Sequence, residues 1–189
     1  MQLGEIETMI ESISMKIATA IKSASSNKDA NEEVIQFGLL VIFNTGSIFI
    51  LCFLIGILTR NPFEVMLALI SFSSLRAVSG GFHLKTSMGC IILTVITMMT
   101  IPIIPLSSNI GIMLITIASL VLVLIYAPSN IERQTRVPEQ YFFIFKIIAA
   151  LIVSINLFLQ IDVLALAFFI QALSLIKKGG SRYVEKKSS

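Results

Sequence analysis

Six apolar runs fill most of this sequence and determine the class of fold that it can adopt. A helix needs about 20 apolar residues to cross a hydrocarbon core of about 30 Å. Only 13% of the 189 residues are charged, whereas soluble domains have about 25%. The sequence therefore predicts an all-α, polytopic membrane protein with about six transmembrane helices in a domain over 34–176. The runs cover residues 34–58, 62–75, 88–106, 110–127, 141–160 and 161–176.

Two of these runs, 62–75 and 161–176, are short for a membrane span at 1.5 Å per helical residue. Runs of this length are consistent with tilted helices, with spans of a thinned membrane or with a re-entrant element. The third run contains Pro102 and Pro105. A membrane helix tolerates such prolines as a kink because neighbouring groups satisfy the freed carbonyls.

The amino-terminal segment, residues 1–33, has a different pattern. Apolar residues recur there at steps of three and four, with charged residues between them, which predicts an amphipathic helix followed by a polar linker. Such a helix lies in the membrane interface or packs on the protein's own loops. The segment lacks the features of a secretory signal peptide. The apolar stripe consists of Leu3, Ile6, Ile10, Ile13, Ile17 and Ile21.

The basic residues are distributed unevenly between the connections. Lysine and arginine in short loops favour the cytoplasmic side. With six spans, one set of connections carries only Arg60, the opposite set carries twelve basic residues, and Lys146 lies near the start of the fifth run. Both termini, the basic tail 177–189 and the connection over 76–90 are therefore predicted on the cytoplasmic side of the cell membrane. The twelve are Lys16, Lys22, Lys28, Arg76, Lys85, Arg133, Arg136, Lys177, Lys178, Arg182, Lys186 and Lys187.

The scarcity of metal-binding side chains excludes several classes of enzyme. The chain has one histidine, His83, and two cysteines, Cys52 and Cys90, too few for a zinc site built from these residues. Its two aspartates, Asp29 and Asp162, fall short of the carboxylates expected of a magnesium-dependent lipid transferase. No metal or other cofactor is expected. No stripe of basic and aromatic residues indicates nucleic acid as a partner.

One segment, residues 76–90, concentrates the chemically versatile side chains. It holds His83 and Cys90, and ionisable groups at membrane depth indicate function by default. A cysteine is a nucleophile as its thiolate, and a neighbouring imidazole accepts the thiol proton. The segment therefore predicts a cysteine nucleophile with a histidine base. The alternative is a histidine at the headgroup level and a cysteine that is only a small buried hydrophobe, which is how we interpret Cys52.

His83 and Cys90 would be too far apart on one straight helix to share a proton. Seven residues rise about 10 Å, whereas a hydrogen-bonded pair needs about 3 Å. We therefore expect a bend at Gly80-Gly81 or at Gly89, where glycine makes it least costly. His83 is then expected on a loop or helix end, and Cys90 near the start of the third span.

Arg76, Gly80 and Gly81 each have two interpretations. The glycine pair is a turn, or its backbone amides face a developing oxyanion. The arginine is a topology signal, or a cation that holds a substrate carboxylate or stabilises the oxyanion.

An arginine, a Gly-Gly-x-His element and a cysteine seven residues after the histidine, within residues 76–90, resemble the signature of the AgrB family. These are the accessory gene regulator B peptidases of bacterial quorum sensing. A weaker resemblance lies in Tyr-Ala-Pro at 126–128, while residues 129–138 depart somewhat from the family's pattern. The resemblance covers essentially the whole chain, and its specificity rests on 76–90.

The resemblance implies a membrane-embedded cysteine endopeptidase that cleaves the acidic carboxyl-terminal tail from an AgrD-like precursor of an autoinducing peptide. Cys90 would attack the peptide bond, with His83 as base and then as acid. A thiol of the precursor would attack the Cys90 thioester and close a thiolactone, and a hydroxyl in its place would close a lactone. Lys85, Arg133 and Arg136 would attract the acidic tail. The family also implies a homodimer, and the precursor and membrane lipids are the expected partners.

The residues alone leave two other functions open. A small peptide exporter or carrier would use Pro102 and Pro105 to break a helix at its substrate site. Against it, the chain has no internal symmetry, and its spans hold no carboxylate relay beyond Glu64 and Asp162 near their ends. A non-catalytic membrane scaffold would use the amino-terminal helix to bind a partner.

Overall fold

The computed structural model describes residues 3–25, 31–82, 86–106, 108–129 and 141–176. These residues are all-helical, as the apolar runs predict, and one isolated bridge pair is their only extended pairing. A 3₁₀ turn, Ile101–Ile103, follows the fourth helix directly. The helices in chain order are α1 (Leu3–Ala24), α2 (Glu32–Leu58), α3 (Pro62–Ser79), α4 (Ser87–Thr100), α5 (Asn109–Tyr126), α6 (Phe142–Leu159) and α7 (Asp162–Leu173).

The protein is a membrane protein. In the described ranges four helices, α2, α3, α5 and α6, are long and apolar enough to span a bilayer. The apolar stretches Met88–Ile103 and Asp162–Leu173 are shorter, so the count of six spans stays a prediction. Large apolar side chains such as Ile42, Leu58 and Phe158 are exposed on the long helices. Lipid tails are as apolar as these side chains, so their exposure is expected in a bilayer.

Two helix ends differ from the ends of the apolar runs. α3 continues to Ser79, whose fully buried hydroxyl accepts a hydrogen bond from Gln171 Nε2 (3.1 Å). The helix is therefore long enough to span, although run 62–75 looked too short. α4 ends at Thr100 because Pro102 has no N–H to donate to the preceding turn.

α1 packs against α2 and α4. Among residues 8–24 of this helix, the buried positions are the small residues Ser14 and Ala18, while Met9, Ile13 and Ile21 are exposed. Part of the predicted apolar stripe is therefore not covered by the protein's own helices. Placement of this stripe in the membrane interface stays a prediction.

The described helices form two compact units. The first contains α1, α2, the beginning of α3 and α4, and the second contains the end of α3 with α5, α6 and α7. In the second unit α5 packs against both α6 and α7. α7 is buried almost all round, including Gln171. A polar side chain is thus enclosed where an apolar one is expected.

A short turn with a buried amide joins α6 to α7. Gln160 has a left-handed backbone (φ +52°). Asn156 Oδ1 accepts from the N–H of Ile161 (3.0 Å), and its Nδ2 donates to the carbonyl of Ile161 (3.1 Å) and to Thr116 Oγ1 (3.0 Å). This amide fixes the turn at the amino-terminal end of α7.

Candidate functional site

Four of the predicted site residues lie in the described part of the chain. Arg76 is in the last turn of α3, and Gly80 and Gly81 follow that helix directly. Cys90 is in the first turn of α4. The other four lie outside the described residues: His83, Lys85, Arg133 and Arg136.

The chain does not run as one helix from Arg76 to Cys90. Gly80 and Gly81 have φ values of +72° and +133°, a backbone region that glycine occupies at little cost. α4 begins only after Thr86, whose hydroxyl caps its first turn. The bend expected at the glycine pair is present, and Cys90 lies near the start of a helix.

Gly81 is held so closely that a side chain does not fit. A Cβ at this position would lie 2.7 Å from Ser174 Oγ and 3.3 Å from Gln171 Nε2. Real Cβ atoms essentially never come as close as the first of these distances. Both the backbone conformation and the lack of space therefore require glycine.

The glycine pair is bonded to the chain that follows α5. The N–H of Gly81 donates to the carbonyl of Ser129 (3.0 Å), and the N–H of Ser129 donates to the carbonyl of Ser79 (2.9 Å). These bonds form the isolated parallel bridge between Gly80 and Ser129. The Tyr-Ala-Pro element at 126–128, which carries the weaker part of the family resemblance, is thus followed directly by Ser129, which is hydrogen-bonded to the glycine turn.

Phe82, the residue before His83, has both of its backbone polar groups bonded. Its N–H donates to the carbonyl of Ser174 (3.1 Å), and its carbonyl accepts from Arg76 Nη2 (2.6 Å). The Arg76 guanidinium also lies over the ring of Phe72, 5.7 Å from its centroid. Arg76 therefore supports the backbone of the predicted site segment.

Gln171 joins these contacts into one buried network, and sequence reasoning missed it. Its Nε2 donates to the carbonyl of Gly80 (2.7 Å) and to Ser79 Oγ (3.1 Å). Its Oε1 accepts from Arg76 Nη1 (3.3 Å) and from Ser174 Oγ (3.1 Å). The available signal was a glutamine inside an apolar run, because polar residues at membrane depth are expensive and indicate function.

The hydrogen bonds of the glycine pair bear on the expected oxyanion role. The N–H of Gly80 donates to the carbonyl of Arg76 (2.9 Å), and the N–H of Gly81 is bonded to Ser129. An amide already bonded to a protein carbonyl can stabilise an oxyanion only if that bond breaks. The geometry therefore favours the turn over the oxyanion interpretation of Gly80 and Gly81.

The two cysteines have different surroundings. Cys52 is fully buried in the middle of α2, whereas Cys90 is partly exposed. The N–H of Cys90 donates to the carbonyl of Thr86 (3.2 Å), which fixes the cysteine backbone at the helix start. Of the two thiols, Cys90 is the accessible one.

Within the ranges that the structure describes, no three His, Cys, Asp or Glu side chains are grouped so that they could hold a metal ion. The described residues of the segment 76–90 offer a thiol, a guanidinium, hydroxyls and backbone amides.

Sequence comparison places these residues in a known context. The family model described as accessory gene regulator B (AgrB) matches residues 14–177, which include the whole segment 76–90. No solved structure matches the chain.

Two similar proteins carry names from the same family. An AgrB-like protein of Halalkalibacterium halodurans is 28% identical over 120 residues, which cover 64% of this chain and 61% of the relative. An AgrB-like protein of Clostridium perfringens is 33% identical over 88 residues, which cover 47% of this chain and 41% of the relative. The matched part of the chain thus spans about two fifths to three fifths of the length of these relatives.

Proposed function

The chain belongs to the accessory gene regulator B (AgrB) family, and from this premise we propose that it acts in agr-type quorum sensing as a membrane cysteine endopeptidase. Its substrate is an AgrD-like precursor of an autoinducing peptide, from which it removes the carboxyl-terminal tail. The cleaved precursor leaves as a macrocycle, a thiolactone.

The position of Cys90 carries the proposal. This cysteine is the partly exposed one of the two and lies in the first turn of α4. In the sequence it follows a tightly held turn and the single histidine. Amide groups at a helix start have partial positive charge and interact favourably with an anion such as a thiolate. The partial exposure of Cys90 and its position near a helix start are both typical of a nucleophilic cysteine.

The first half of the reaction is acyl transfer to Cys90. The thiol gives its proton to His83, and the thiolate attacks the carbonyl carbon of the scissile peptide bond. When the carbon–nitrogen bond breaks, His83 returns the proton to the leaving amine. The tail departs with a free amino group, and the remaining peptide is held as a thioester on Cys90.

The second half closes the ring. The thiol of the precursor's internal cysteine loses its proton and attacks the thioester carbonyl, and Cys90 leaves as a thiolate that takes up a proton. One thioester is exchanged for another, so the step is nearly balanced in energy. Hydrolysis must therefore be slow, and a site at the membrane boundary limits access of water.

The proposal includes the partners and the sidedness of the site. The precursor meets the enzyme at the cytoplasmic side of the cell membrane, the side that the distribution of lysine and arginine favours for residues 76–90. The protein works as a homodimer in contact with lipid, as the family resemblance implies.

A trapped intermediate tests the proposal. A precursor whose internal cysteine is replaced by alanine cannot close the ring, so the thioester on Cys90 should accumulate. We expect an adduct that survives a denaturing gel, is released by hydroxylamine and maps to Cys90 by mass spectrometry. Release of the tail without any adduct, or an adduct on Cys52, would contradict the mechanism.

A second prediction concerns the acidic tail of the precursor. Reversing the charge of Arg133 and Arg136 with glutamate should slow cleavage about threefold to tenfold at low salt, because the substituted positions repel the tail. The difference should shrink at high salt, since screening weakens interactions between exposed charges. Arg60→Glu, in the exposed connection between α2 and α3, serves as the control and should cleave normally. Equal rates for the wild type and the double variant in low-salt vesicles would exclude this attraction.

A further inference from the structure

We propose that Gln171 is a positioning residue of this peptidase, whose carboxamide sets the backbone that leads into His83. The inference rests on the proposed role of His83 as the base for Cys90. Gln171 would not touch the substrate, and it would act through the residues on either side of Gly81.

The carboxamide of Gln171 is fully buried, and both its nitrogen and its oxygen are hydrogen-bonded. A side-chain amide has two N–H donors and an oxygen with two lone pairs. Here the nitrogen has two acceptors, Gly80 O and Ser79 Oγ, and the oxygen accepts from Arg76 Nη1. The oxygen also shares the single proton of the Ser174 hydroxyl, 3.1 Å away, with the main-chain carbonyl of Gln171, which lies 2.7 Å from that hydroxyl. The flipped amide would put its oxygen against the carbonyl of Gly80 and its nitrogen against the guanidinium. The partners therefore fix the orientation of the side chain.

From this amide the contacts lead directly to the residue before His83. Two of the partners of Gln171, Arg76 and Ser174, also hold Phe82, one at its carbonyl and the other at its N–H. A third partner, Gly80, begins the turn. The backbone of Phe82, the residue that precedes His83 in the sequence, is thus held by groups that contact Gln171. A shift of about 1 Å at a reacting group can reduce a rate about a hundredfold.

Helix packing alone does not explain a glutamine at this position. The neighbouring buried residues of α7 are apolar, among them Phe168 and Ala172, and a methionine or leucine would fill a similar volume. A polar group at membrane depth is costly unless all of its hydrogen bonds are made. The bonds that Gln171 makes are directed at the site segment and not at the other packed faces of α7.

The test compares Gln171→Met with His83→Ala. Both variants and the reference protein carry Cys52→Ala, so that Cys90 is the only thiol that iodoacetamide can alkylate. The rate of alkylation is measured as a function of pH. If His83 accepts the proton of the Cys90 thiol, His83→Ala changes how the alkylation rate depends on pH. We expect Gln171→Met to shift this pH dependence towards that of His83→Ala. For cleavage of the precursor by Gln171→Met we expect kcat to fall about tenfold to a hundredfold while KM changes less than about twofold. If Gln171 acts through His83, the double variant His83→Ala/Gln171→Met should cleave no more slowly than His83→Ala.

A second variant and a control distinguish a positioning role from a general loss of stability. Gln171→Glu keeps an oxygen towards Arg76 and Ser174 but turns the other oxygen against the carbonyl of Gly80, and it should also shift the profile. The matched control is Asn156→Leu, because Asn156 is the other buried side-chain amide described in this unit. Its bonds go to Ile161 at the opposite end of α7 and to Thr116 of α5. This control should lower thermal stability and leave the pH profile unchanged.

The outcomes separate the two proposals. A pH profile that His83→Ala does not alter would overturn the proposed histidine base. A profile altered by His83→Ala but not by folded Gln171 variants would overturn the positioning role alone. An equal shift in Asn156→Leu would also overturn it, since a purely structural amide would then have the same effect.

Discussion

Cleavage of the precursor is expected to fall below detection, a loss of at least about a thousandfold, when Cys90 is replaced by alanine. The reaction depends on a covalent bond to this sulfur, and a protein without its nucleophile keeps only the catalysis that binding supplies. His83→Ala should lose about a hundredfold to ten thousandfold, the range of a general base. The measurement is release of the tail from a synthetic precursor by the purified protein in detergent or vesicles.

Cys52→Ala is the matched control for the loss of a thiol. Cys52 is fully buried inside α2, so its replacement removes packing and no chemistry, at a cost of about 1 kcal/mol in stability. Its cleavage rate should stay close to that of the wild type. Full activity of either Cys90→Ala or His83→Ala would exclude the proposed dyad, whereas absence of cleavage by the wild type itself would favour an exporter or a scaffold.

Gly81→Ala is expected to reduce cleavage by more than about tenfold and to destabilise the protein. An alanine at φ +133° costs about 1–3 kcal/mol in backbone strain. Its Cβ would also lie 2.7 Å from Ser174 Oγ, so the serine hydroxyl must move and its hydrogen bonds with Gln171 are disturbed. The measurements are cleavage of the precursor and the thermal stability of the purified protein.

Two variants separate these causes. Gly46→Ala, in α2 with no atom within 4 Å of the added Cβ, should be active and at least as stable, because alanine favours a helix over glycine by about 1 kcal/mol. Ser174→Ala combined with Gly81→Ala removes the close contact but not the strained backbone, and it should restore part of the activity. Wild-type activity in Gly81→Ala would show that the turn does not determine the site.

The helices could be predicted from the sequence because hydropathy and turn residues are local features of the chain. The run 141–160 became α6 with almost the same bounds, since hydropathy and the following turn lie within the run itself. The end of α3 was not predictable in this way. Ser79 is polar and interrupts the hydropathy pattern, yet it is buried because its hydroxyl finds a partner on α7.

The same distinction holds for the site. Arg76, Gly81 and Cys90 were found because they lie within fifteen residues of one another and have recognisable chemistry. Gln171 was not found because its contacts with Gly80 and Arg76 join residues 91 and 95 positions apart. A long-range contact leaves no periodicity in the sequence, and only the packing of α7 reveals it.

The contacts of the Gly80–Phe82 turn with α7 also determine when the segment reaches its final form during synthesis. At about 5–20 residues per second, a ribosome that has just made Gly80 needs roughly another 5–20 seconds to reach Gln171, 91 residues later. Until then the turn lacks both Gln171 and Ser174. The proposed catalytic segment is therefore completed only when the last described helix has docked, so a nascent chain cannot assemble it before the membrane domain is nearly complete.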